Sequence, residues 1–356
     1  MAAAELHVDL GAIAENWQSL QRPGPGSVGA VLKADAYGLG AVPVAQALHA
    51  AGCRHVFVAH LAEAVAILPH LPDTMLAVLN GLWPGDASDF VHHGIRPVLG
   101  SLAEIDDWTA AARGVGRSLP ALLHVDTGMN RLGLSGPDLD TLTADPARLA
   151  GVAIDYVMTH LVSAEIPGDP VNQEQRTAFA AACDRLPPAR RSLANSSGLF
   201  LGDGFRSDLA RPGAALYGVN PTPGRANPMQ PVATLRARIL QVRDVPAGGT
   251  VGYNGQWTAV RASRIAVVSV GYADGFLRSL SNRAAACFDG RAVPLVGRVS
   301  MDLTTFDVTD EPAAVPGTWL ELIGPHMPVD AVADRAGTNG YEVLTSLGSR
   351  YSRVYS

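Results

Sequence analysis

Cysteine, basic clusters and long apolar runs are all scarce in this chain, and each scarcity narrows what it is. Three cysteines in 356 residues, Cys53, Cys183 and Cys287, are far apart and odd in number. Neither a disulfide framework nor a zinc site is indicated. Lys and Arg total 27 against 33 Asp and Glu, with no local basic block. A net charge of −6 argues against a nucleic-acid surface. No uninterrupted apolar stretch is long enough to span a bilayer, and residues 1–10 lack the basic start and long apolar run of a secretory signal. A soluble protein of a reducing, cytoplasmic compartment is expected. What is present is a hydrophobic content of 47%, enough for roughly two domains, or one large barrel with a smaller partner.

From residue 27 to about 218, short β-rich runs alternate with alanine-rich, helix-like segments. The runs cover 27–34, 55–60, 74–80, 95–100, 120–127, 152–161, 191–196 and 208–218. Between them lie candidate helices at 41–51, 61–68, 102–112 and 172–185. About eight strands alternating with helices predict a (β/α)8 TIM-type barrel rather than a doubly wound sheet. The segment 220–231 holds four prolines and reads as a linker. Beyond it, alternating runs between Gly- and Pro-containing turns predict a mostly-β domain, with short helices near 329–336 and 342–346. The expected division is a barrel over 1–228 and a β domain over 229–356.

Chemistry in such barrels gathers where strands end and loops begin. Lys33 closes the first run beside Tyr37, dry on its strand side and open on its loop side. Desolvation lowers an amine's pKa and makes it a usable nucleophile or base. Asp126, Asn130 and Arg131 follow the fifth run, His160 closes the sixth, and Asn195, Ser196 and Ser197 close the seventh. Arg211-Pro212-Gly213 lies in the eighth. Barrels often bind phosphate with the loops after strands seven and eight. Asn195-Ser-Ser-Gly198 offers hydroxyls there, and Gly213-Ala214 offers bare N–H groups; either cluster alone also reads as ordinary turn chemistry. A reactive lysine beside a phosphate cradle points to pyridoxal 5'-phosphate.

Ala30-Val-Leu-Lys-Ala-Asp-Ala-Tyr-Gly-Leu-Gly40 resembles the cofactor-lysine signature of the alanine racemases, fold-type III pyridoxal-phosphate enzymes. The resemblance continues nearly end to end. It includes Val125-Asp-Thr-Gly-Met-Asn-Arg-Leu-Gly133, Met158-Thr-His160, Asn195-Ser196 and Arg211-Pro-Gly-Ala-Ala-Leu-Tyr-Gly218. In the second domain Val251-Gly-Tyr253, Gly271-Tyr-Ala-Asp-Gly-Phe276, Gly297-Arg-Val-Ser-Met-Asp302 and Tyr341-Glu342 match in order and spacing.

The resemblance implies an isomerase that interconverts L- and D-alanine, supplying D-alanine for peptidoglycan. Lys33 would carry the cofactor and act as one base, with Tyr253 as the other on the opposite face of the α-carbon. His160, hydrogen-bonded to Arg211, would support catalysis by depressing the phenol's pKa. Arg211 would face the pyridine nitrogen and leave it unprotonated, which favours return of the proton to the α-carbon. Residues alone allow a plainer reading: Tyr253 packed on a sheet and Arg211 paired with Asp208. Tyr37, Asn195, Ser196, Gly213, Ala214 and Tyr341 would hold the cofactor. Arg131 and the Met301 backbone would receive the substrate carboxylate, and Tyr272 and Asp302 would line the entrance. A homodimer is implied, with Tyr253 of one subunit facing Lys33 of the other.

Two departures stand out. The family often has a lysine, frequently carbamylated, where this chain has His124. A bound anion or a direct histidine contact is expected to orient Arg131 instead. The usual Thr-His-Phe-Ala is Thr159-His-Leu-Val162. Alternatives are a racemase of serine or of broad specificity, a fold-type III decarboxylase, and a non-catalytic pyridoxal-phosphate carrier. Arg211 counts against the decarboxylase and Tyr253 against the carrier.

Overall fold

Short Val-, Leu- and Ile-rich runs with little polar interruption make strands that are buried on both faces. In the computed structural model, which describes residues 3–21 and 26–356, seven such strands lie parallel and in chain order. They are Ala30–Val31, His55–Val58, Met75–Val78, Arg96–Leu99, Leu119–His124, Val152–Met158 and Arg190–Ser192. The eighth run contributes only Leu209–Ala210, which pairs in parallel with Ser27–Val28. Gly29 divides the first barrel segment, so its first half pairs with strand eight and its second half with strand two. A Cβ there would lie 2.9 Å from the His55 carbonyl oxygen. Strands seven and eight form no regular ladder. That seam is closed by the Arg211 N–H on Ala194 O at 2.9 Å and the Ser192 hydroxyl on Leu209 O at 2.7 Å.

Val31, Phe57, Met75, Ala77, Val98, Leu122, Tyr156, Met158 and Leu209 fill the interior of this curled sheet. Helices Ala41–Ala50, Leu61–Ile67, Ala87–His93, Leu102–Val115, Gly136–Ala144 and Pro170–Asp184 follow strands one to six. After strands seven and eight only short 3₁₀ turns occur, Ser197–Phe200, Asp203–Phe205 and Ala214–Tyr217. Helix Leu10–Leu20 packs against the last of these, its Asn16 amide donating to Leu216 O and Gln230 O.

The second sheet runs in the order Arg291–Pro294, Ala285–Phe288, Trp319–Ile323, Ala233–Val245, Ala4–Val8 and Ser352–Tyr355. Strand Ser263–Val268 also pairs with the long Ala233–Val245 strand, and Thr304–Asp307 pairs with it in turn. The expected boundary therefore needs correcting at its start: Ala4–Val8 belongs to the β domain's sheet, not to the barrel. Its alternation explains this, since Ala4, Leu6 and Val8 are buried while the residues between them are half-exposed. It lies antiparallel to Ala233–Ala237 and parallel to Ser352–Tyr355.

The linker 220–231 has no helix or strand but is tied down. The Asn220 N–H donates to Asp330 Oδ2 at 3.0 Å, and the Gln230 N–H to Asn16 Oδ1 at 2.8 Å. Helices Val329–Ala336 and Gly340–Ser346 complete the domain. Among the described residues, no helix is long and apolar enough to cross a membrane.

Candidate active site

The first run does not end as a strand at Ala34. Lys33 opens a turn in which Ala34, Asp35, Ala36 and Tyr37 have φ of 54°, 54°, 52° and 57°, one turn of left-handed helix. Left-handed conformation costs an L-residue roughly 1–2 kcal/mol, so four in succession need external bracing. Glu63 gives it: Oε1 accepts the Ala34 N–H at 2.7 Å, while Oε2 accepts the Ala59 and His60 N–H groups at 2.8 and 3.0 Å. Asp35 adds a bond from the Ala41 N–H at 2.7 Å. Gly38 ends the turn so close to the second domain that a Cβ would lie 2.4 Å from Leu344 O. The Lys33 ammonium is disfavoured by burial and by the Arg131 charge, with Glu63 opposing, so its pKa is lowered.

Lys33 borders a cavity of about 570 Å³ that is also lined by His124, Arg131, Met158, His160 and Trp83. Arg131 stands on a loop folded around Asp126. The Asp126 carboxylate accepts N–H bonds from Gly128, Met129 and Asn130 at 2.9–3.2 Å. Gly133, at φ 113°, closes the loop where a Cβ would lie 2.6 Å from Asp126 N. Gln175, fully buried on helix Pro170–Asp184, ties this loop to the next. Its amide donates to Thr127 Oγ1 and His160 O, and its oxygen accepts the Val162 N–H. Burial, then the Arg211 charge, depresses both imidazoles, His124 to about 4 and His160 to about 3. Both are neutral near pH 7. No hydrogen bond joins His124 to Arg131; the two line the same cavity, where the Arg131 charge adds to the disfavour of a protonated His124.

Arg211 is 4% exposed and has no carboxylate partner among the described residues. It donates to Ser192 O at 2.9 Å, Ser192 Oγ at 2.5 Å and Thr159 O at 2.5 Å. The expected hydrogen bond to His160 is absent; three of the five guanidinium N–H groups are directed to these oxygens instead. The alternative pairing with Asp208 is absent too, since Asp208 Oδ2 accepts the Arg191 N–H at 2.6 Å. Burial lowers Arg211 to about 10, which leaves it a cation.

Ser196 Oγ accepts the N–H groups of Gly213 and Ala215 at 3.0 and 3.2 Å. Gly213 therefore does not offer a bare N–H, as its sequence implied; Ala214 is not engaged by Ser196. Asn195 Oδ1 caps the turn at the Gly198 N–H. Tyr37 stacks on Tyr217 at 4.6 Å between centroids, and burial pushes its phenol up to about 12. A Cβ on Gly213 would lie 2.3 Å from the Tyr37 hydroxyl. Tyr341, on the helix beside the left-handed turn, is near enough to Tyr37 to disfavour its ionisation. A depressed lysine, a buried guanidinium without a counter-ion, and a hydroxyl-rimmed loop with room only for glycine fit a phosphate-bearing, carbonyl-reactive ring such as pyridoxal phosphate.

The second-domain residues do not join this cavity in the single chain. Tyr253 is 68% exposed on a short turn, Met301 is 53% exposed and Tyr272 43%. Asp302 pairs with Arg350 at 2.8 Å, which also holds the buried Asp274 at 2.5 Å. The Tyr272 and Ala273 N–H groups donate to Ser300 O and Met301 O at 3.0 Å, fixing the two loops against each other. Neither Glu63 nor Gln175 stands out in the sequence. Glu63 follows an N-cap that is His60 rather than Ser or Thr, so the capping-box pattern does not mark it. Gln175 has no signal either, because its partners come from other loops.

The family model for the alanine racemase N-terminal domain matches residues 8–221, and that for the C-terminal domain matches residues 232–355. An alanine racemase of Acidiphilium cryptum is 56% identical over 349 residues, covering 98% of both chains. One of Brucella abortus is 47% identical, covering 99% of this chain and 94% of its own. Among solved structures, alanine racemase of Bartonella henselae, with covalently bound pyridoxal phosphate, has a TM-score of 0.97 at 41% identity, with both chains fully covered. The biosynthetic alanine racemase of Pseudomonas aeruginosa gives 0.93 at 34%, again with full coverage of both. The chain belongs to the alanine racemase family.

Proposed function

We infer that the chain is a pyridoxal-phosphate-dependent alanine racemase, and that Lys33 and Tyr253 are its two bases. The observation that carries this reading is Lys33: a desolvated amine held in a strained turn, in a cavity with Arg131 and two neutral imidazoles. Bound through Lys33, pyridoxal phosphate supplies an electron sink for the charge that develops when the α-proton leaves. Tyr37, Asn195, Ser196, Gly213, Ala214 and Tyr341 would hold it at the mouth of the barrel. Arg211 would face its ring nitrogen and, being a cation, would give that nitrogen no reason to protonate.

Among the described residues the Arg131 guanidinium has no hydrogen bond or ion pair, which leaves it, in the cavity with Lys33, for the substrate carboxylate. Lys33 exchanges a proton with one face of the α-carbon, and Tyr253 of the partner subunit with the other. Each such group is worth roughly 10²–10⁴-fold in rate. Met301, Tyr272 and Asp302 of that same second domain border the entrance. The exposure of Tyr253, Tyr272 and Met301 supports a homodimer in which each site is built from both chains. D-alanine for peptidoglycan, made in the cytoplasm, is the product in this reading.

The test is complementation. Lys33→Ala and Tyr253→Phe proteins are each expected to form no D-alanine, as followed by chiral chromatography. Mixed and allowed to reassort, half of the dimers become hybrids with one intact site in two. About a quarter of wild-type activity should then return. No recovery on verified subunit exchange would sink the shared site, and activity in Lys33→Ala would sink the two-base reading.

A further inference from the structure

We propose that Glu63 is a positioning residue for Lys33, locking the left-handed turn through the Ala34 N–H and tying it to the end of the second barrel strand. Its geometry is that of a clamp. One oxygen holds the first amide after Lys33 at 2.7 Å, and the other holds two amides at the end of the second barrel strand. The turn it holds is four non-glycine residues long and left-handed throughout, so without the clamp the backbone gains by relaxing to ordinary conformations. Relaxation there would swing the Lys33 Cα–Cβ bond away from the cavity.

The remaining hydrogen bonds of the turn cannot replace the clamp. Leu32 O accepts the Ala36 N–H, and Asp35 O accepts the Gly40 N–H. Both act inside the turn; the one other bond that ties it outward, from the Arg353 guanidinium to Gly38 O at 3.1 Å, holds its far end to strand Ser352–Tyr355 and leaves the Ala34 amide next to Lys33 to Glu63. Charge points the same way. The groups that act on the Lys33 amine are Arg131, His160 and Glu63, and of these only Glu63 is acidic. Arg131 disfavours the ammonium and Glu63 favours it, so the amine is poised between two opposed charges rather than merely desolvated.

This rests on Lys33 acting as a base, and the experiment separates the two claims. Wild type, Glu63→Gln and Glu63→Asp are compared as holoenzymes by amide hydrogen exchange over residues 33–41 and by the acid limb of kcat against pH. Both variants should exchange faster over 33–41, by about tenfold or more, because neither side chain can bridge all three amides. In Glu63→Gln the acid limb should move to lower pH by about half a unit to one unit, since losing a negative charge disfavours the ammonium. Its kcat should fall about 10²-fold with KM within about twofold. In Glu63→Asp the charge persists, so the limb should stay within about 0.2 units of wild type.

Wild-type exchange rates over 33–41 in both variants would overturn the proposal. So would an unmoved acid limb in Glu63→Gln alongside a lowered melting temperature, the pattern of a purely structural acid. Racemisation by Lys33→Ala would instead refute the role of Lys33 and leave the exchange result standing.

Discussion

Replacing Gly213 with alanine places a methyl carbon 2.3 Å from the Tyr37 hydroxyl oxygen and 3.0 Å from its Cζ. Ordinary contact begins near 3.4 Å, so the phenol must retreat by about 1 Å. It has little room to do so, because its ring lies stacked on the fully buried Tyr217. Overpacking of this kind typically costs 1–3 kcal/mol, and here the phenol that moves is proposed to hold the cofactor phosphate. If that cost falls on binding, cofactor affinity should drop about 10- to 100-fold. The assay is titration of pyridoxal phosphate into apoenzyme, followed by absorbance of the bound form.

Tyr37→Phe should weaken binding by a similar factor, by losing a hydrogen bond to a charged group. The double variant is decisive. Without the hydroxyl the 2.3 Å contact disappears and only the 3.0 Å contact with Cζ remains. Gly213→Ala should then add less than about twofold, a coupling of at least about 1 kcal/mol. Wild-type affinity in Gly213→Ala, or two effects that simply multiply, would refute the close approach as the reason for glycine.

Folding should also respond to pH through the two buried imidazoles. His124 and His160 are held near 4 and 3, below the ordinary value of 6.5, so the unfolded chain binds up to two more protons than the folded one in the window below pH 6.5. Stability is therefore fully present above pH 6.5 and falls as the pH drops towards the folded values, and proton uptake on unfolding at pH 5, measured by calorimetry in two buffers, should fall by about one in His124→Asn. Asp126→Ala removes the acceptor for the Gly128, Met129 and Asn130 N–H groups, so the Arg131 loop should loosen and KM for alanine rise about tenfold, with a smaller effect on kcat in steady-state assays. Gly38→Ala combines φ 82° with a Cβ 2.4 Å from a backbone oxygen of the second domain, and thermal melting should show a loss of about 2 kcal/mol or more.

Much of this site is written in local pattern. Each βα loop begins where an apolar run meets a small or polar residue, so Lys33, Asp126 and His160 could be placed at strand ends before any coordinates. The left-handed turn could not. Ala34-Asp-Ala-Tyr37 has no glycine to announce positive φ, and its conformation is imposed by Glu63, an acid 29 residues away from the amide it binds. Arg211 could be placed in the site only through the family resemblance, and its bonds not at all, because Thr159 O and Ser192 offer acceptors that only the closed seam brings together. The bareness of the Gly213 N–H was misjudged for the same reason: Ser196 sits 17 positions earlier and reaches it only across two loops. Strand Ala4–Val8 alternates as plainly as any other, but alternation does not say which sheet a strand will join.

That strand has a consequence for how the chain is made. Synthesis is vectorial, and domains generally fold in the order in which they emerge. Val8 pairs with Ala233, so the strand waits through about 225 residues of synthesis for its antiparallel partner, and longer for Ser352–Tyr355 on its other side. Meanwhile the parallel ladder from Ala30 to Ser192 has every neighbour it needs. The nascent barrel thus carries an unsheltered β-edge bearing Leu6 and Val8, the kind of segment that seeds misassembly on crowded polysomes. A strand that cannot pair is translated ahead of the barrel and covered only once Ala233–Val245 and Ser352–Tyr355 have followed, so the yield of native protein should depend on how quickly the ribosome covers the distance between them.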